Sequence, residues 1–206
     1  PPLPDNAGMP VKAVVFDILE VNADTGWPDR WATQLQLERD DLRRCLDGIW
    51  TPGSIGALTL EEIDRRTAEA LSLDHATLAA LMNDVWAEYL GTLNRELADY
   101  FGRLRPLYRT GILSNSFVGA REREQAAYGF EDMCDVIVYS HEVGCLKPNP
   151  QIYHVVCERL GVPPEDTVLL DDVQANVDGA RAVGMRAITF ADTRQAIADL
   201  QAQMRS

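Results

Sequence analysis

Five short apolar runs constrain this chain more than any other feature: KAVVF at 12–16, TGILS at 110–114, DVIVY at 135–139, TVLL at 167–170 and RAITF at 186–190. From residue 110 onward they alternate with helical patterns. Strands that are apolar on both faces must be covered on both, so the pattern predicts an α/β fold with a parallel sheet between helical layers. Residues 23–104 break the rhythm, and no buried strand is read there. TLEEIDRR opens with a capping box, Thr59 with Glu62. A second helix begins near Asp74, carries Leu78, Leu81, Met82, Val85, Trp86, Tyr89 and Leu90 at helical spacing, and ends at Gly91. This stripe is read as packing between helices. The expected organisation is a tail at 1–9, an α/β core of residues 10–22 and 105–206, and a helical block at 23–104. Met9 followed by PVKAVVFD reads as the natural start.

Composition removes several classes of function. A length of 206 residues suits one core with an inserted lobe, and an apolar content of 46% is that of a soluble globular chain. The formal net charge of −13 repels nucleic acid and anionic membranes, so neither is expected as a partner. Cys45, Cys134, Cys145 and Cys157 are scattered, without a paired motif, which predicts reduced thiols and a cytoplasmic location. No stretch approaches the ~20 apolar residues of a membrane span, and no signal peptide is visible.

Ligands of an open parallel sheet bind beyond the carboxyl ends of its strands, so the informative residues follow each apolar run. Asp17 follows the first; Ser114, Asn115 and Ser116 close the second. Lys147 comes after VIVYSHEVGCL, ahead of PNP, and Asp171 and Asp172 follow VLL. Singly, each has an ordinary reading. Asp172 could cap a helix, SNS is turn chemistry, and Asn149 with Pro150 is a plain helix start. Together, three carboxylates meet at one sheet edge. They repel unless a cation sits among them. Lys147 supplies one charge, and a hard divalent ion with oxygen ligands, Mg²⁺, would supply the rest. Ser114 adds a hydroxyl. Such a site suits a phosphate-like anion, with Asp17 placed as a nucleophile.

This constellation resembles the haloacid dehalogenase (HAD) superfamily over nearly the whole chain. VVFDILEV resembles its first motif through Asp17 and Val21, and GILSN its second through Ser114 and Asn115. LKPNPQIY matches the third through Lys147, and VLLDDVQANVDGARAVGM matches the acidic fourth. The resemblance implies a Rossmannoid three-layer α/β/α core with an inserted α-helical cap of the C1 type. It implies that Asp17 forms an aspartyl intermediate and that Ser114, Asn115 and Lys147 grip the transferred group. Mg²⁺ would be held by the Asp17 carboxylate, the backbone carbonyl of Leu19 and an acid of the pair, Asp172 in preference to Asp171. Asp171 would orient Lys147 or a metal-bound water. Trp27, Arg30 and Trp31 are candidates to line the substrate pocket, with cap packing as the ordinary reading of the tryptophans. The expected partner is a small phosphorylated molecule, and the expected state a monomer or homodimer.

The first motif departs from the family pattern at three places: Leu19, Glu20 and Asn22. In the family's phosphatases the position of Leu19 is an aspartate that protonates the leaving alcohol and then activates water. Leucine cannot move a proton, and such help is worth ~10² to 10⁴ in rate. Neighbouring side chains of an extended segment point to opposite faces, so Glu20 is a poor substitute. Three readings follow: a Mg²⁺-dependent phosphatase-type hydrolase with weakened acid–base chemistry, a non-catalytic binding protein, and a 2-haloacid dehalogenase, whose halide leaves without an acid.

Overall fold

The computed structural model describes residues 11–17, the backbone of 20–21, and 25–205. In chain order the elements are β1 (Ala13–Phe16), β2 (Glu20–Val21), α1 (Trp27–Leu35), α2 (Arg39–Ser54), α3 (Leu60–Leu71), α4 (His75–Leu90), β3 (Thr92–Leu93), α5 (Arg95–Leu104) and β4 (Arg109–Ser114). They continue with α6 (Ala120–Tyr128), α7 (Phe130–Met133), β5 (Val136–Tyr139), α8 (Ser140–Val143), α9 (Pro150–Leu160), β6 (Thr167–Asp171), α10 (Gln174–Ala182), β7 (Arg186–Thr189) and α11 (Thr193–Arg205).

The five apolar runs become one parallel sheet, ordered β5-β4-β1-β6-β7. Successive side chains of a strand point to opposite faces, and here each face has its own core. Val14, Phe16, Ile112, Tyr139, Val168 and Leu170 pack with α5 and α11 on one side. Ala13, Val15, Leu113, Val138 and Leu169 pack with α9 and α10 on the other. The result is the Rossmannoid three-layer α/β/α arrangement.

Helices α1 to α4 form the block inserted after the first strand. Trp27, Trp31, Leu42, Leu46 and Leu81 make its own core. The capping box forms, with the Glu62 amide donating to Thr59 Oγ1 at 3.2 Å. Asp74 caps α4 through the Thr77 amide at 2.7 Å, and Gly91 ends that helix.

One boundary differs from the sequence expectation. Helix α5 belongs to the sheet rather than to the helical block, because Leu97, Ala98, Tyr100, Phe101 and Leu104 form a buried face against the first core. The block therefore closes at α4. The chain also forms a two-stranded antiparallel ladder, Glu20 with Leu93 and Val21 with Thr92, where it leaves the sheet and where it returns. Strands of two residues are too short to show a period of two. Among the described residues no helix is long and apolar enough to cross a membrane. The four cysteines are unpaired, and three are buried.

Candidate active site

Strand register sets the site. Phe16 pairs with Ile112 on one side and Leu170 on the other, so Asp17 emerges beside Asp171, with Ser114 one step beyond on β4. The Asp17 amide donates to the Leu170 carbonyl at 2.8 Å, holding the strand end in place. One ligand atom from each of Asp17, Asp171 and Asp172 lies within 4.8 Å of the others.

Lys147 sits among them. Its side chain is 1% exposed, and Nζ donates to Asp17 Oδ1 and to Asp171 Oδ2, each at 2.6 Å. A buried ammonium without such partners would be costly. The loop that delivers it is held by Asn115. The Lys147 amide donates to Asn115 Oδ1 at 2.7 Å, and Asn115 Nδ2 donates to the Lys147 carbonyl at 3.0 Å. Both ends of the Asn115 amide are thus engaged by the lysine backbone, which makes Asn115 a positioning residue for the cation. The SNS turn is therefore a brace between two strand-end loops.

The acidic pair divides its work. Asp171 is fully buried and accepts from Lys147, from the Val173 amide at 2.9 Å and from Asn176 Nδ2 at 3.0 and 3.2 Å. Asp172 is exposed and does not cap α10, whose N-cap is Val173. Asp171 is consumed in fixing the lysine, and Asp172 faces outward as an available oxygen ligand. Asn176, five residues after Asp171, was not anticipated from sequence. Tyr153 Oη donates to its carbonyl at 2.8 Å and locks it. Gly179 lies under the lysine loop, where an added Cβ would come within 2.7 Å of Pro148 Cβ.

The Ser114 hydroxyl is buried and makes no hydrogen bond among the described residues. An unspent buried hydroxyl at a strand tip, beside a lysine, is suited to receive an oxyanion. Leu19 lies outside the described residues. Asp17, Asp171, Asp172 and Lys147 sum to a formal charge of −2, three minus one, which fits a divalent cation held by oxygen.

Above the strand tips lies a cavity of about 610 Å³, with Asn115 and Ser116 at its lower end. Trp27, Trp50, Trp86, Tyr89 and Phe117 supply its aromatic wall. The stripe on α4 thus does two jobs: Leu81 enters the block core while Val85, Trp86 and Tyr89 face the cavity. Of the three pocket candidates read from sequence, Trp27 lines it. Arg30 and Trp31 are not among its lining residues. Both donate to Asp84 Oδ2, at 3.0 and 2.8 Å, and tie α1 to α4. The α2 face of Asp47, Trp50, Thr51 and Ser54 was missed. Its spacing of three, four and seven was legible, but its mixed polarity concealed which side it served.

Fold and site together define a Rossmannoid α/β protein with an aspartate, serine, lysine and acidic pair at neighbouring strand tips. The model for haloacid dehalogenase-like hydrolases matches residues 11–184, and the chain belongs to that family. It is 31% identical over 211 residues to phosphatase MT3486 of Mycobacterium tuberculosis, covering 87% of each chain. It is 23% identical over 189 residues to D-ribitol-5-phosphate phosphatase of Bacteroides thetaiotaomicron, covering 84% of this chain and 89% of that one. A HAD family enzyme from the same bacterium, solved with magnesium and inorganic phosphate, superposes with a TM-score of 0.74 at 20% identity, covering 90% of this chain and 98% of its own. The chain is accordingly a HAD-superfamily hydrolase with phosphatases among its relatives.

Proposed function

We propose that this protein is a Mg²⁺-dependent phosphatase-type hydrolase that acts on a small phosphorylated molecule through an aspartyl intermediate at Asp17. The observation that carries the reading is Lys147, buried between Asp17 and Asp171 at 2.6 Å from each, with Asp172 turned outward beside them. Asp17, Asp172 and the backbone carbonyl of Leu19 are the groups assigned to the ion. When bound, Mg²⁺ offsets the repulsion between a phosphoryl group and the carboxylates around it.

The Asp17 carboxylate attacks phosphorus, the bond to the ester oxygen breaks, and the leaving alkoxide takes a proton from solvent. Water then attacks the same phosphorus and gives up its proton to solvent, releasing inorganic phosphate and restoring the carboxylate. Lys147 and the Ser114 hydroxyl hold the phosphoryl oxygens, while Asp171 and Asn115 keep Lys147 in place. With leucine at position 19, this chain lacks the usual proton donor for the first step, so substrates with good leaving groups are favoured. The helical block serves as the cap that shapes the substrate pocket. The retained acidic cluster counts against a metal-free 2-haloacid dehalogenase.

Hydrolysis of p-nitrophenyl phosphate with and without Mg²⁺ tests this reading, because its leaving group departs as a stable anion. Mg²⁺-dependent turnover, or one burst equivalent, that disappears in Asp17→Asn is expected. No release under either condition would sink the phosphatase reading in favour of a non-catalytic binding protein.

A further inference from the structure

The cavity above the strand tips carries chemistry that the phosphoryl site does not use. Its five rings form a continuous chain, with centroid separations of 5.8 Å for Trp27–Trp50, 6.2 Å for Trp50–Phe117, 5.9 Å for Phe117–Trp86 and 5.3 Å for Trp86–Tyr89. Neighbouring rings are inclined by 42°, 66°, 62° and 78°. A slot for a flat base or aryl group needs two facing parallel rings. None of these neighbouring pairs is parallel, so they offer no two-ring sandwich for a flat group. Trp50 is held in the wall by its Nε1 donating to Thr67 Oγ1 at 3.2 Å.

Two carboxylates, exposed Asp47 and half-buried Glu88, are also among the lining residues. Glu88 Oε2 accepts from the Thr25 amide and hydroxyl at 3.1 and 2.8 Å, which fixes the side chain without neutralising it. Neither acid pairs with a described lysine or arginine, and no described cation lines the cavity. Arg123 packs on the Trp86 ring at 4.0 Å and donates to the Gly119 carbonyl, but is not a lining residue. Ring faces carry negative potential and attract ammonium groups, above all where a carboxylate adds its charge.

From this cavity we infer that the substrate's non-phosphate end is a compact aliphatic ammonium group, so that the ester is a phosphorylated amino or quaternary ammonium alcohol. The inference rests on the phosphatase reading for its chemistry, while the ammonium subsite stands on the cavity alone. A neutral polyol would draw nothing from the charge of half-buried Glu88 or of Asp47 at the exposed rim, and a planar ring would meet no parallel neighbouring pair.

Two measurements separate the two ideas. In the first, binding of choline and of its neutral isostere 3,3-dimethylbutanol is followed by tryptophan fluorescence, which needs no turnover. Choline is expected to bind about tenfold or more tightly. Equal binding of the two, or binding of neither, overturns the ammonium subsite even if p-nitrophenyl phosphate is hydrolysed. In the second, kcat/KM is compared for choline phosphate, 3,3-dimethylbutyl phosphate and D-ribitol 5-phosphate in the presence of Mg²⁺. Choline phosphate is expected to lead, and its advantage over the neutral isostere to shrink toward one in the Asp47→Asn, Glu88→Gln double variant. Preference for either neutral ester overturns the inference. Tight choline binding with no hydrolysis of any ester would leave the subsite standing and remove the phosphatase reading. The wild-type ratios decide the matter even if the double variant does not fold.

Discussion

At the scale of single residues, neighbouring positions divide labour by burial. Asp171 and Asp172 are adjacent in sequence, yet one is buried and bonded on both oxygens while the other is exposed. Sequence could mark the pair but not its division, because that depends on which carboxylate the end of β6 turns inward. Asn115 is a similar case: it is recognisable after GILS, but its two hydrogen bonds with the Lys147 backbone join residues 32 apart in sequence. On the proposed mechanism, Leu19 is the residue whose chemistry bears most on rate. Leu19→Asp should raise kcat on alkyl phosphates by roughly 10² or more while changing aryl phosphate turnover little, since only the former needs a protonated leaving group. Steady-state kinetics on one ester of each kind checks this, and an equal effect on both would argue against the missing proton donor.

At the scale of elements, the end of α2 meets the start of α8. Ser140 Oγ donates to the Ser54 carbonyl at 2.7 Å and receives the Ser116 amide at 2.9 Å. Gly56 turns the chain there with φ +69°, and a Cβ at that position would lie 2.0 Å from the His141 carbonyl oxygen. Both the backbone angle and the contact demand glycine. Gly56→Ala is expected to lower stability by about 1–3 kcal/mol, since the obstacle is backbone and cannot turn aside. Chemical denaturation measures it, and a loss within error of zero would mean that the junction is loose. The elements of the sheet were legible because each strand is a short apolar run. Helix α5 was assigned to the wrong side because an amphipathic helix shows in sequence that it has an apolar face, not what that face meets.

At the scale of the whole molecule, Glu124 joins the helical block to the sheet. It is buried on α6 and accepts from Tyr89 Oη of α4 at 2.8 Å and from Tyr139 Oη at the end of β5. Burial pushes its carboxyl above the ordinary value of 4.5, reinforced by the charge of Asp17 and opposed by the two tyrosines and Arg121. The folded protein therefore keeps this proton where the unfolded chain has released it. The contribution of Glu124 to stability must fall as pH rises from 4.5 through the raised folded value, and level off beyond it. Glu124→Gln carries no such proton, so its unfolding free energy should gain on the wild type over that interval. Urea denaturation at a series of pH values tests this; parallel curves for the two proteins would refute it.

The sequence by itself determined the parallel sheet, the insertion between its first and second motifs, and the order in which Asp17, Ser114, Lys147 and the acidic pair arrive at the strand tips. Those features are periodic or local, and each follows from what an apolar strand or a capped helix requires of its own residues. Only the tertiary structure decided that Asn115 and Asn176 brace the site, that α5 serves the sheet, and that Trp27, Trp50, Phe117, Trp86 and Tyr89 close into one wall. Those five rings come from two helices of the block, the residue that opens α1 and a loop after β4, separated by up to 90 residues of chain. No local spacing encodes a contact between them. It arises when burial of separate apolar faces brings the block down over the sheet edge.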